Sequence, residues 1–524
     1  MARAPGCPVG REHGIGAGSR SLLQLLDAAR LHEGAKAVAA QVDGGEVGDI
    51  NGEIGIGVVP PALGVAGSRS CRRERLPAPM PCSRPTGHPG ARATSNLPPL
   101  LWGRVGVGGP HNRTVDRETC LAFDQQDPLA AVREEFVVPD GLIYLDGNSL
   151  GALPRRTVPR LHQVIAEEWG DGLIRSWNDA HWIEAPVRIG DKIAGLIGAK
   201  PGEVIVADST SVNLFKLLAG ALRLQPGRHF ILTETANFPT DLYVAQGLTD
   251  LLGGNHAVRL VERGQLDAAL DGSVAVLMLT HVDYATGAIH DMRRLTAAAH
   301  RYGALVLWDL SHSAGAIPLE LNDCEVDLAV GCGYKYLNGG PGAPAYVFIA
   351  SGLQDALRSP LSGWMGHAAP FAFEREYRPA AGMARQLAGT PPVLSMMALE
   401  VAIDLWLGVD QREARRKSMG LGDLFIRLVD ETGRDLGLEV ASPRNAVDRG
   451  AQVSLRHRQA YRVIRALIDR GVIGDFRMPD IMRFGFAALY TRYVDVFDAV
   501  RSLREVLTTR AWERPEYATR MPVT

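Results

Sequence analysis

Between residues 204 and 350 the chain repeats one pattern: a short, wholly apolar segment followed by a helical one. VIVAD (204–208), HFILTET (229–235), VAVLMLTHV (274–282), ALVLWDL (304–310), LAVGCG (328–333) and AYVFIA (345–350) read as strands. Helical spacing falls between them at Val212–Leu224, Leu242–Leu252 and Ile289–Tyr302, the last ending at Gly303. Strands that are apolar throughout and separated by helices predict a parallel sheet covered on both faces. Any ligand of such a sheet belongs at the C-terminal ends of its strands. Past Ser395 the pattern changes to long helices with short strands at 438–442 and 451–457, a smaller α+β region. Upstream, Leu121–Phe136, Arg156–Gly170 and Val187–Ile197 show helical spacing, and YLDGNSLG (144–151) reads as a short strand entering a turn.

Residues 1–112 differ from the rest. They are rich in Gly, Pro, Arg and Ser and show no sustained strand–helix alternation. Their apolar surface is too small for a core, so this extension is expected to be disordered, or to be upstream sequence read from a mis-assigned start. The 524-residue chain carries a formal net charge of −2. Neither nucleic acid nor an anionic membrane is expected as a partner. No apolar run is long enough to span a bilayer, and no apolar leader core follows the basic N-terminus. Six cysteines (Cys7, Cys71, Cys82, Cys120, Cys324, Cys332) make no CxxC pair. No metal site is therefore expected, and a reduced cytoplasm fits.

The chemistry concentrates at strand ends. Lys335 follows LAVGCG and precedes a glycine-rich loop in GYKYLNGGPG, and ALVLWDLSHSAGA carries Asp309 at its strand end, then His312. An acid and a lysine so placed suit pyridoxal phosphate: the amine forms a Schiff base with the cofactor aldehyde, and the carboxylate keeps the pyridine nitrogen protonated. Taken singly, each is as readily a surface lysine or a turn acid. Thr210 and Ser211 open a helix after VIVADS, where hydroxyls and free N–H groups either hold an anion or cap the helix. In NFPTD, Phe238 can stack on the ring and Asp241 can lie at its pyridine side. Alternatively Pro239 starts a helix that Thr240 or Asp241 caps. Thr280 ends a further strand, with Asp283 and Tyr284 beyond it. Tyr334 can donate to phosphate and move protons. Five strands thus deliver polar groups to one end of the sheet. GGPG (339–342) precedes a strand and does not open a helix, so it is not a dinucleotide-binding loop.

YLDGNSLG, ADSTSVNLFK, NFPTD, HVDYATG, WDLSHSAGA, GYKYLNGGPG, GWMGH, GTPPVLS and FRMPDIMRFGFAALY, in this order between about Thr114 and Leu507, resemble kynureninase. The resemblance implies the α/β fold type I of pyridoxal-phosphate enzymes. Its large domain (176–394) has a mainly parallel, seven-stranded-type sheet between helices. A smaller α+β domain (395–524) follows, and a helical segment (113–175) packs on it. Lys335 would be the Schiff-base lysine and Tyr334 a proton donor. Thr210, Ser211, Phe238, Pro239, Thr240, Asp241, Thr280, Asp309, His312 and Tyr334 would contact the cofactor. Trp364 and Thr390 would reach it from the second subunit of a homodimer. Arg483 would clamp the substrate α-carboxylate in bidentate fashion, and Trp177 would face the substrate's aromatic ring. The implied reaction is hydrolysis of L-kynurenine, or its 3-hydroxy form, to anthranilate or 3-hydroxyanthranilate and L-alanine, a step of tryptophan catabolism and NAD precursor synthesis. The family pattern has Asn and Arg where Asp283 and Ala285 stand here, which bears on substrate contacts and not on the cofactor site. A cysteine desulfurase or class V aminotransferase shares the fold, but a desulfurase needs a reactive cysteine past the lysine and none follows Cys332. A non-catalytic cofactor-binding protein would be expected to lose Arg483 and Trp364, and both are present.

Overall fold

The computed structural model describes residues 115–521 apart from Gly433. The expectation for segment 1–112 lies outside the described residues. The six apolar segments are six of seven strands in one sheet: β1 (Val204–Val206), β2 (Phe230–Glu234), β3 (Ala257–Val261), β4 (Val274–Thr280), β5 (Leu305–Asp309), β6 (Leu328–Cys332) and β7 (Ala345–Ile349). Their spatial order is β1-β7-β6-β5-β4-β2-β3. Neighbours from β3 to β6 are parallel. β7 runs antiparallel to both β6 and β1, so the sheet is mainly parallel, as expected, with one reversed strand. The cause is the connection. Residues 333–344 between β6 and β7 contain no helix, and without a crossover the chain returns antiparallel. β3 is missing from the sequence reading because it is a half-exposed edge strand interrupted by Arg259, whose guanidinium packs 3.9 Å from the Phe230 ring centre.

Helices cover both faces of this sheet. One of them, α2 (Ala185–Leu196), precedes it; α3 (Thr210–Leu224), α4 (Pro239–Leu251) and α5 (Met292–Arg301) lie within it in sequence, whereas α1 (Arg117–Gln125) puts Cys120 and Phe123 into the core of the C-terminal region. Strand alternation divides the core. Val204 and Val206 join α2 residues Ile189 and Ile193 on one side, while Ile205 joins α3 residues Leu214, Leu217 and Leu218 on the other. Each such fully buried aliphatic side chain contributes roughly 1.5–3 kcal/mol. Close helix–strand approach selects Gly190, where a Cβ would overlap the Val204 carbonyl. The helix expected over Leu121–Phe136 is broken by Pro128 into α1 and a 3-10 turn at Ala130–Glu135.

The remaining chain forms α6 (Val393–Leu407), α7 (Gln411–Thr432), α8 (Ala460–Ile468) and α9 (Tyr493–Thr508). These accompany an antiparallel sheet of β8 (Glu439–Val440), β9 (Gln452–Arg456), β10 (Asp475–Arg477) and β11 (Ile481–Gly485), ordered β8-β9-β11-β10. Its core stacks Phe425 on Phe484 and Phe486, at 4.9 and 5.5 Å between ring centres. Upstream, Ile143–Tyr144 pairs in parallel with Val472–Ile473, after which the Gly151 N–H donates to the Tyr334 carbonyl at 2.8 Å. One segment therefore touches both the β10 side and the lysine loop. Among the described residues no helix is long and apolar enough to cross a membrane.

Candidate active site

The parallel register sets the first pair of groups. Thr280 at the end of β4 lies opposite Asp309 at the end of β5. Asp309 is 4% exposed, and its Oδ1 accepts the Ser311 N–H at 2.7 Å. Burial raises its pKa, and Ser311 and Lys335 pull it partly back. Asp241, from the first turn of α4, is buried too; burial and then the Asp309 charge push its carboxyl well above the ordinary range. Thr280 Oγ1 reaches Asn237 Oδ1 at 2.5 Å and Asp241 Oδ2 at 3.3 Å. Two neighbouring buried acids need a cationic or N–H donor partner. Lys335 follows β6, with its Nζ 5.9 Å from the centres of both the Phe238 and Tyr334 rings. His312 is 5% exposed, and its Nδ1 has no hydrogen-bond partner among the described residues. Burial, then the charges of Lys335, Arg483 and Arg477, hold it neutral. Burial raises the Tyr334 phenol as well.

Thr210 and Ser211 begin α3, but its cap is Ser209, whose Oγ accepts the Val212 N–H. Their N–H groups belong to the first turn, which has no intrahelical acceptors. Asp208, Ser209, Tyr334, Ala343 and Thr390 line a cavity of about 520 Å³ beside this turn. Asp208 would oppose an anion there, but the wholly buried Lys216 pairs with it at 2.6 Å. Thr390, expected to act from a second subunit, thus lines a cavity of its own chain.

The third group gathers at β10 and β11, where Asp475 is the register partner of Arg483. Arg483 is 1% exposed. Its Nε donates to Asp475 Oδ1 at 2.7 Å, and Nη2 to Asp475 Oδ2 and to Ser149 Oγ. Its Nη1 donates to the Tyr284 carbonyl at 2.7 Å. Ser149 belongs to the GNSLG turn and donates to Asp475 at 2.7 Å. That turn requires Gly151, because a Cβ there would overlap the Lys335 carbonyl and the Asn338 amide. Tyr284 also meets Phe238 edge-on, 5.2 Å between ring centres, linking the arginine to the lysine side. Asp283 and Ala285 serve the same turn: Asp283 Oδ1 accepts from Thr286, and the Ala285 carbonyl accepts from Ser454.

Two expected residues stand apart. Trp177 packs on Trp182, 5.9 Å between ring centres, against the main core. Trp364 is 37% exposed and meets Phe371 at 5.7 Å. Sequence reasoning missed Asp475, Arg477, Ser149 and Asn237. The only signal was indirect: Asp475 and Arg477 alternate with Phe476, which places them on one face of a strand.

The arrangement fits pyridoxal phosphate. Buried acids suit a ring N–H, a buried His312 nitrogen has no partner among the described residues, Lys335 lies beside the Phe238 ring, and a cavity with hydroxyls suits a phosphate. Fold and site together define a fold type I enzyme of the pyridoxal-phosphate class. Among solved structures, a cysteine desulfurase from Thermococcus onnurineus superposes with a TM-score of 0.63 at 20% identity, covering 72% of this chain and 98% of that one. An Escherichia coli cysteine desulfurase does so with a TM-score of 0.61 at 20% identity, covering 73% and 98%. At that identity the likeness concerns the fold. Residues 414–503 match the kynureninase C-terminal domain family. The kynureninase of Pseudomonas fluorescens is 51% identical over 413 residues, 78% of this chain and 99% of that protein. The kynureninase of Burkholderia pseudomallei strain K96243 is 52% identical over the same shares. This chain belongs to the kynureninase family.

Proposed function

We propose that this protein cleaves the Cβ–Cγ bond of L-kynurenine with water, releasing anthranilate and L-alanine. The observation that carries the reading is the convergence of Lys335, the buried acids Asp309 and Asp241, and Arg483 at one end of the sheet. Lys335 would hold the cofactor through Nζ, and its amine is the base that would take the substrate α-proton. Bound pyridoxal phosphate supplies a protonated ring that takes up the electron pair left on the substrate when a bond breaks. Asp309, backed by Asp241, holds the ring N–H. Thr210, Ser211 and Tyr334 hold the phosphate, and Thr390 serves the same cavity. Phe238, Pro239 and Thr240 pack at the ring, with Thr280 and His312 at its edges. Arg483 binds the α-carboxylate, and Tyr334 returns a proton.

The hydroxyl of water ends on the ketone carbon, which becomes the anthranilate carboxyl. The hydrogen ends on Cβ, which becomes the alanine methyl. A homodimer is the proposed assembly, supported by the exposed aromatic patch of Trp364, Phe371 and Phe373. A reduced cytoplasm is proposed, consistent with Cys120, Cys324 and Cys332 as free thiols. The test is product analysis in heavy water. Anthranilate and alanine are expected in equal amounts, with solvent deuterium in the alanine methyl. Cofactor-loaded protein that consumes L-kynurenine without making both would refute the reading.

A further inference from the structure

Arg483 is less free than a bidentate clamp requires. An arginine has five N–H groups. Here two go to Asp475, one to Ser149 and one to the Tyr284 carbonyl. A single N–H, on Nη1, is left for a ligand, whereas a carboxylate is best held by paired donors.

A second donor stands beside it. Arg477 Nη2 shares Asp475 Oδ2 at 2.8 Å, and its Nη1 donates to the Phe476 carbonyl at 2.9 Å. Its other N–H groups have no acceptor among the described residues. The Arg477 side chain is 36% exposed against 1% for Arg483, so it has an open approach. Its charge also reaches the reaction site. Burial and Asp283 raise the Tyr284 phenol, and Arg477 and Arg483 pull it back. Arg477 acts in the same way on His312 beside Lys335.

The charges leave room for one more anion. Two arginines share the single carboxylate of Asp475. Asp146 lies close by, but burial and then Asp475 raise its pKa to about 7, so at neutral pH it supplies only part of a charge. Burial, followed by the Arg483 charge, lowers the Arg477 pKa, and Asp475 and Asp146 pull it partly back.

We propose that Arg477 is a second substrate-binding arginine, which together with Arg483 receives the α-carboxylate of the amino-acid substrate while Asp475 holds both guanidinium groups. This deepens the functional reading above and rests on it. Asp475 is the positioning residue of the pair, because it touches the arginines and not the substrate.

The test uses pyridoxal-phosphate-loaded full-length protein and reads the cofactor absorbance on titration with L-alanine and with ethylamine, which lacks the carboxylate. The parent should prefer L-alanine. In Arg477→Gln the preference should fall about tenfold, the scale of one charge-assisted contact, with ethylamine binding and cofactor retention unchanged. Arg477→Lys, which keeps the charge, should recover part of it. An unchanged preference in Arg477→Gln overturns the proposal, as does a parent with no preference. Equal loss of ethylamine binding also overturns it, since that would mark a structural role. Anthranilate release by the parent is scored separately. A carboxylate preference that depends on Arg477 without anthranilate would retain Arg477 and refute the kynurenine reading. Anthranilate release with no role for Arg477 would do the reverse.

Discussion

At the scale of single residues, the proposed function gives Lys335 and Asp309 opposite duties. Lys335→Ala is expected to abolish anthranilate release, with losses beyond roughly 10²–10⁴-fold because both covalent attachment and proton transfer go with it. If Lys335 holds the cofactor as proposed, Asp309→Asn should keep it, yet slow turnover by about 10²–10⁴-fold, because an amide cannot hold the ring proton. Fluorescence of released anthranilate measures both; an Asp309→Asn rate near the parent's would remove that acid from the account. These two residues were legible in the sequence because one ends and the other closely follows an apolar strand that announces its own position. Asp475 was not legible. Its meaning comes from lying opposite Arg483 on a neighbouring strand, and register between short polar strands is not written in either one. Nor were the partners of Arg483 legible, since Asp475, Ser149 and Tyr284 come from three separate segments.

At the scale of elements, buried strands announced themselves through continuous hydrophobicity, but that pattern carries no direction, so the reversal of β7 had to be seen. The GNSLG turn shows how an element fixes a site. Gly151→Ala would push the turn off the Lys335 loop, an expected cost of about 1–3 kcal/mol, read as a lower denaturant midpoint together with weaker cofactor retention. A stable, fully loaded variant would contradict the close approach. Elsewhere, Glu400 of α6 accepts from Arg188 and Lys192 of α2, each at 2.8 Å. Burial would raise its pKa, yet the two cations outweigh burial and lower it to about 2, against an ordinary 4.5. A depressed carboxyl stabilises the fold fully above its unfolded pKa and loses that contribution as pH falls through its folded one. Glu400→Gln should therefore cost roughly 2 kcal/mol near neutral pH, with the deficit shrinking between about pH 4.5 and 2. Denaturation curves across that range check it, and a deficit independent of pH would contradict it.

At the scale of the whole molecule, the seven-stranded sheet and the β8–β11 sheet bring Lys335 and Arg483 to a common site through Tyr284 and the GNSLG turn. The proposed dimer adds Trp364 across an interface. Trp364→Ala should lower both dimer affinity and activity, with the activity recovering at high protein concentration. Sedimentation beside rate measurement tests this, and a monomer of full activity would exclude a shared site. The central claim is tested most directly by the absorbance of purified protein with pyridoxal phosphate, before and after L-kynurenine, with anthranilate fluorescence followed at the same time. A visible cofactor band that changes on adding L-kynurenine, with anthranilate released and both signals lost in Lys335→Ala, is the expected result. Folded protein that forms no cofactor band, or that releases anthranilate equally well without Lys335, would contradict it.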